Sequence, residues 1–160
     1  MVEKTNGAGT ELTAPAAKGA FCAQGDSLVM VADPSPSAPS LALNFDPRSP
    51  LGAKILLGAQ GVADETPETI GEKPFPLAYW LVKRVLRTDE ATGEIKASAR
   101  TTLVTADGVR FACESLGVLE SLDLIRQIYG DGPYDPPIRV RVERSKTGQG
   151  RRYYYLVAAD

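Results

Sequence analysis

The feature that most constrains the fold is a two-residue alternation in the second half of the chain. Between Ile95 and Thr105, apolar or small side chains alternate with polar ones, which is the period of a β-strand with one buried face. Asp107-Gly108 follows, a pair that suits the positive φ angles of a tight hairpin turn, and the alternation resumes through Phe111 and Cys113. Two antiparallel neighbouring strands are therefore predicted.

Four further elements surround this hairpin. Residues 79–87 are aromatic and β-branched, which predicts a preceding strand. Residues 138–143 alternate again, and residues 151–158 form a closing strand with three consecutive tyrosines. Between them lies one helix that ends at Gly130, because its apolar residues recur with helical spacing at Val118, Leu122, Ile125 and Tyr129.

The resulting order over residues 75–160 is strand, strand, strand, helix, strand, strand. This is the order of the OB-fold, a five-stranded Greek-key barrel whose helix lies between the third and fourth strands. The predicted class is therefore mainly β (α+β), with an OB-like β-β-β-α-β-β barrel. An open α+β sheet with one covering helix has much the same pattern and remains an alternative.

The first half of the chain is patterned differently. Residues 1–40 are rich in Ala, Pro and Ser, with three prolines between Pro34 and Pro39, which predicts a flexible, partly disordered N-terminal extension. Within it, residues 27–32 have the composition of one short strand. Residues 41–74 are interpreted as accessory strands or a linker, with short apolar runs at 41–45 and 54–57 and an acidic loop at 64–72.

Composition narrows the classes of function. The chain has no histidine and only two cysteines, Cys22 and Cys113, far apart, so no nucleophile–base pair, zinc site or disulfide framework is indicated. We therefore expect a protein that is not an enzyme and has no cofactor. The start lacks the apolar core of a signal peptide, and no apolar run approaches the ~18 residues of a membrane span. The expected location is cytoplasmic, in the host cell if the protein is viral.

Charge and aromatic residues point to a binding function. The net charge is −2, yet residues 75–160 hold thirteen of the 18 basic residues against eleven of the 20 acidic ones, a local balance of +2. Basic and aromatic side chains alternate along the strands, which suits single-stranded nucleic acid because phosphates need cations and unstacked bases need flat rings. The candidate binding residues are Trp80, Arg84, Arg100, Arg139, Arg141, Lys146, Arg151, Arg152, Tyr153 and Tyr155.

Simpler explanations exist for the same residues. Outward arginines and lysines on an antiparallel sheet are usually a solvated face. Alternation directs at least one of the three tyrosines inward, so either Tyr154 belongs to the core or Tyr153 and Tyr155 do. A tryptophan in this position, Trp80, is more often a core residue than a stacking platform.

The second half resembles the OB-fold single-stranded DNA-binding proteins of phages and mobile elements. The resemblance rests on residues 76–84 (PLAYWLVKR), on residues 100–105 (RTTLVT) with the Asp107-Gly108 turn, and on residues 152–156 (RYYYL). It implies sequence-tolerant binding of single-stranded DNA during replication or recombination, without a cofactor. RNA is an alternative ligand, and a second copy or replication proteins are candidate partners. The alternative function is a protein-interaction or structural module, such as a virion or assembly component.

Overall fold

The computed structural model describes residues 27–35, 38–146 and 152–160, with the backbone alone for residue 152. From residue 75 onward the order of elements is the predicted one. The elements are a 3₁₀ helix at Leu28–Ala32, β1 at Leu41–Leu43, α1 at Pro50–Gly58, α2 at Pro67–Ile70, β2 at Phe75–Thr88, β3 at Ile95–Thr105, β4 at Arg110–Cys113, α3 at Leu116–Tyr129, β5 at Ile138–Lys146 and β6 at Arg152–Ala158.

One six-stranded antiparallel sheet contains all of the strands of the described residues, in the order β4-β3-β2-β5-β6 with β1 added to β2. The 14-residue strand β2 is central. Along one edge it pairs with β3, whereas its other edge pairs with β5 at residues 75–77 and with β1 at residues 81–83. The mainly β class is therefore confirmed, and the sheet has one strand more than predicted.

The sheet is open, since no pairing joins β4 to β6 among the described residues. The outer edge of β4 is occupied by Glu65, whose N–H donates to the Arg110 carbonyl (2.9 Å) and whose carbonyl accepts from the Ala112 N–H (3.1 Å). The outer edge of β6 is covered by α3, because Ser115 Oγ donates to the Tyr154 carbonyl at 2.9 Å. The pairings therefore do not confirm the predicted closed five-stranded barrel.

The inner face of the sheet carries the main core. The predicted alternation of β3 is confirmed, because Ala99, Thr101 and Leu103 all lie inward and are buried. They pack with α3 and with the 3₁₀ helix. The fully buried side chains of this core include Trp80, Val82, Phe111, Val118, Leu119, Leu122, Leu28 and Val31. A second, smaller cluster lies on the outer face, where α1 covers Leu81 and Val104.

The described part of the predicted N-terminal tail packs on the core. Within residues 27–32, Leu28–Ala32 is a 3₁₀ helix capped by Ser27, not the short strand that the composition predicted. Leu28 and Val31 are fully buried, and their spacing of three residues fits one side of a 3₁₀ helix with three residues per turn. The β-branched composition was misleading because no strand offers this segment a hydrogen-bonding partner in the described chain.

Two short helices replace predicted strand and loop in residues 41–74. The run at 54–57 belongs to α1, which begins after Ser49, whose Oγ accepts from the Gly52 N–H (2.9 Å), with Pro50 at the first helical position. A side chain at Gly52 would clash, because its Cβ would lie 1.8 Å from the Asp46 carbonyl oxygen. The predicted loop 64–72 contains α2, which Thr66 caps. Residues 41–43 do form an accessory strand, β1.

A buried cation joins these parts. Arg126 in α3 is 7% exposed and donates to Asp123 Oδ1 and to Asp131 Oδ1, each at 2.8 Å. Its guanidinium carbon lies 5.4 Å from the centroid of the Trp80 ring. Asp123 also accepts from Ser27 Oγ (2.8 Å), and the Asp131 carbonyl accepts from Trp80 Nε1 (3.0 Å). The 3₁₀ helix, α3, the loop after it and β2 therefore meet at one guanidinium.

We predict that Arg126→Met lowers the free energy of unfolding by about 3–5 kcal/mol, because Asp123 is left with an uncompensated, mostly buried charge. Urea unfolding of both proteins measures the difference. The matched control is Arg139→Met, since Arg139 is exposed and should cost less than about 0.5 kcal/mol. Equal unfolding midpoints for Arg126→Met and the wild-type chain would contradict this role.

Candidate nucleic-acid interface

Trp80 lies in the core and cannot present its ring to a base. Only 1% of the residue is exposed, and both the Asp131 carbonyl and Arg126 contact its indole. Trp80 lies opposite Leu103, which belongs to the inner core. A β-bulge between Leu77 and Tyr79 lets Leu77 face inward as well, although it is three residues from Trp80. The predicted role of Trp80 as a stacking platform is therefore corrected to a core role.

Arg84 is also bound by other parts of the protein. It lies on the same face of β2 as Trp80, as predicted, but its guanidinium donates to three backbone carbonyls. The acceptors are Val31 (3.2 Å), Ala38 (2.7 Å) and Pro39 (3.0 Å). These bonds hold the N-terminal segment against the sheet, and the predicted contact of Arg84 with phosphate is corrected accordingly.

Arg100 faces the opposite, outer side of the sheet. It pairs across the strands with Lys83, so two cations lie side by side on β2 and β3. Neither has an ion pair or side-chain hydrogen bond to any other residue that the structure describes. They line two adjoining depressions of about 830 and 350 Å³, both bordered by Ala59 and Gln60. We call this surface the outer-face groove.

The neighbouring outer-face cations are already paired. Arg87 binds Glu114 through two hydrogen bonds of 2.6 and 2.8 Å, and this contact holds the pKa of Glu114 below its usual value. Arg110 binds Asp64, and its backbone N–H and guanidinium lower the pKa of that carboxyl. Lys83 and Arg100 are consequently the cations of this groove that remain available to a ligand.

The β5–β6 hairpin brings the predicted aromatic residues together. The rings of Tyr153 and Tyr155 stack on its outer face, with centroids 5.5 Å apart and an interplanar angle of 30°. The Tyr155 hydroxyl donates to Glu143 (3.1 Å), which also accepts from Arg141 (2.6 Å). This link raises the pKa of Tyr155, and Arg141 lowers that of Glu143. Arg139, exposed on the same face, donates to the Asp160 carbonyl at 3.0 Å.

The orientation of the three tyrosines is thereby decided. Tyr154 packs against the core, whereas Tyr153 is 43% exposed on the outer face. Lys146 is exposed at the end of β5, where its partner in the register is Arg152. The Arg152 side chain and all of Arg151 lie outside the described residues, so their predicted roles stay predictions.

The sequence interpretation missed Lys83. It grouped Arg84 with Trp80 and so favoured the inner face of β2. The signal was present in the turn, because the loop of residues 89–94 places Thr88 opposite Ile95. The residues five positions farther from the turn on each strand are Lys83 and Arg100, which therefore lie opposite each other. Both are on the face that α3 does not cover.

Other chemistry finds little support in the described part of the chain. No group of three or more His, Cys, Asp or Glu residues there could hold a metal ion. Cys113 is a free thiol packed against the core, and burial raises its pKa to about 11, which disfavours the reactive thiolate. None of the described helices has the length and apolar character needed to cross a membrane.

Fold and site together define a small mainly β protein with an open cationic groove and exposed stacked rings on one face of its sheet. Residues 80–157, from β2 to β6, match the family described as phage single-stranded DNA-binding protein, of the Phi29 type. The predicted resemblance to single-stranded DNA-binding proteins of phage type is therefore confirmed. No curated protein and no solved structure gave a match.

We predict a pH-dependent stabilisation by the Arg87–Glu114 pair. Because folding lowers the pKa of Glu114, the pair stabilises the protein above the unfolded pKa of about 4.3, and the effect is lost as the pH falls through the lower folded value. Arg87 is exposed and the pair is screened by solvent, so Arg87→Gln should lower the urea midpoint only slightly at pH 7. Urea unfolding at pH 7 and pH 3 measures it, and a cost that persists at pH 3 would contradict this assignment.

Proposed function

We propose that this protein binds single-stranded DNA, with little sequence preference, along the outer face of its sheet and acts in phage or mobile-element DNA replication or recombination. The family match supports binding of single-stranded DNA in general. The observation that carries the proposal is that Lys83 and Arg100, which form no ion pair with a described residue, lie side by side in an open groove inside the matched segment. The proposed role is binding without catalysis.

The groove supplies the electrostatic part of the proposed binding. A DNA strand is a chain of phosphates surrounded by condensed counterions, and cations that replace those counterions gain free energy from their release. Lys83 and Arg100 meet this need because neither forms an ion pair with a described carboxylate, although Arg100 lies close enough to Glu114 to help lower its pKa. Arg87 and Arg110 are poorer candidates, since each would have to leave a carboxylate before it could bind a phosphate.

The hairpin supplies the proposed contact with bases. Tyr153 is 43% exposed, and its ring stacks on Tyr155 and also lies close to Gly117, where an added Cβ would be 2.5 Å from a ring atom. A ring that is already fixed loses little entropy when a base stacks on its open part. A stacked base is worth about 1–3 kcal/mol, whatever its identity, which fits binding with little sequence preference.

The architecture that we propose for residues 75–160 is an opened OB-type barrel. The pairings β2–β3, β3–β4, β2–β5 and β5–β6 support it. The proposal explains the missing closure by Glu65, which occupies the edge of β4, and by α3, which covers the edge of β6.

We predict that the double variant Lys83→Ala/Arg100→Ala binds labelled oligo-dT more weakly and with a smaller dependence on salt. Each lost phosphate contact should reduce the slope of log K against log salt by about 0.7, so the double variant should lose about 1.4. Fluorescence anisotropy titrations at four salt concentrations measure both quantities.

The matched control is Arg48→Ala/Lys73→Ala, which removes the same charge from two exposed residues outside the groove. It should leave the slope almost unchanged. Equal slopes for the two double variants would contradict the assignment of the groove. No binding of the wild-type chain at micromolar concentration and low salt would sink the proposed function and favour the protein-interaction alternative.

We predict that Tyr153→Ala weakens oligo-dT binding by about 1–3 kcal/mol without changing the salt slope, because it removes a stacking surface but no charge. The control is Tyr79→Ala, which makes the same chemical change outside the proposed interface, because Tyr79 packs against Phe45 beneath α1. The emission of Trp80, the single tryptophan, should change little on binding because the residue is buried. If the folded Tyr153→Ala variant binds oligo-dT with unaltered affinity, Tyr153 does not contribute to the interface.

A further inference from the structure

The outer-face groove has a wall that contributes little to its own stability. Residues 59–63, which connect α1 to the segment before α2, border the groove opposite Lys83 and Arg100. None of these five residues is buried, and Val62 is 88% exposed. Ala59 packs against the smaller cluster and the N–H groups of residues 59–61 bond to α1, so the wall is anchored at its start, and its exposed part depends on contacts at its two ends.

Both ends of the wall are held by the same residue. The Arg110 guanidinium donates through Nη1 to the carbonyl of Gly58, where the wall begins. Its backbone N–H donates to Asp64 Oδ2 (2.8 Å), and Nε lies 3.4 Å from the same oxygen. Asp64 directly follows the wall. Beyond it, Glu65 bonds to the backbone of β4 on both sides of Phe111.

We propose that Arg110 and Asp64 form a latch that positions the wall of the outer-face groove, so that Arg110 promotes DNA binding without contacting a phosphate. The inference rests on the proposed function. It gives each of the two residues a role that differs from the one that its charge alone would suggest. Arg110 would count as a phosphate-binding cation, and Asp64, an acid beside the groove, would count as a residue that repels DNA. In the latch, both residues strengthen binding because they keep the groove open at a fixed width.

Two single variants separate the latch from simple electrostatics. Asp64→Asn removes a negative charge beside the groove and weakens the interaction of this residue with the Arg110 guanidinium. Electrostatics alone predicts tighter binding of oligo-dT, whereas the latch predicts weaker binding, by about threefold to tenfold, the usual worth of one hydrogen-bonded contact. Arg110→Gln should weaken binding by a similar factor and leave the slope of log K against log salt unchanged, since no phosphate contact is lost.

The control for Asp64→Asn is Glu94→Gln, which removes an exposed carboxylate at the turn between β2 and β3, away from the wall. Its affinity should be unchanged or slightly higher. Amide hydrogen exchange of the full chain provides a second measurement. In both latch variants the N–H groups of Glu65 and Ala112 should exchange faster, while that of Leu103 in β3 should stay protected.

The outcomes distinguish the latch from the function on which it rests. Binding by Asp64→Asn that equals or exceeds wild-type binding overturns the latch, as does an Arg110→Gln slope shallower by about 0.7, the value for one phosphate contact. Unchanged exchange at Glu65 and Ala112 also overturns it. If the wild-type chain itself fails to bind, the proposed function falls, and the latch with it. If the wild-type chain binds oligo-dT and the latch variants bind it equally well, the proposed function stands and the latch is overturned.

Discussion

The fold depends on one buried guanidinium. Arg126 neutralises Asp123 and Asp131, which lie on either side of the end of α3, and its plane lies near the ring of Trp80 in the central strand. Asp123 in turn holds the start of the 3₁₀ helix through Ser27 and the Leu28 N–H. A charge so well buried is tolerated because two carboxylates share it. The same arrangement fixes the helix, the N-terminal segment and β2 relative to one another.

This use of the inner face determines where a ligand can bind. The inner side of β2 is covered by the helices as far as Val82, and the next inward residue, Arg84, is bound to the backbone of the N-terminal segment. The outer side is covered only at the end where α1 packs. Beyond α1, Lys83 and Arg100 lie open beside the wall of the groove. The free cations are therefore a consequence of how the core is filled, not an independent feature of the surface.

The sequence predicts the regular elements well because each has a simple period. The alternation of β3 and the helical spacing of Val118 and Leu122 are both present in the structure with nearly the expected bounds. What the sequence could not reveal depends on contacts distant in the chain. The inward facing of Trp80 depends on its pairing with Leu103, which has no local marker, and the run at 27–32 becomes a 3₁₀ helix only because α3 offers it a docking surface.

The candidate site, like the fold, is predictable where a local pattern determines it and not where distant contacts do. Alternation correctly separates Tyr154 from Tyr153 and Tyr155, but it leaves open which set faces the core. That choice is made by the pairing of β6 with β5, since Leu156 opposite Val142 fixes the inner face. The loss of Arg84 from the site was not predictable, because its partners are carbonyl groups, and any residue type would supply them. Side-chain identity reveals possible ligands for phosphate but not the partners that make them unavailable.

An overall net charge of −2 is compatible with binding a polyanion, because the acids near the outer face are used within the protein. Asp64, Glu114 and Glu143 each hold an arginine, which removes both charges of the pair from the field that a phosphate meets. At physiological ionic strength that field reaches only about 8 Å, so distant acids contribute little to it. What a bound strand would encounter on the outer face is the remainder, Lys83 and Arg100 in the groove. Pairing of carboxylates with selected arginines thus leaves a cationic groove on an acidic protein.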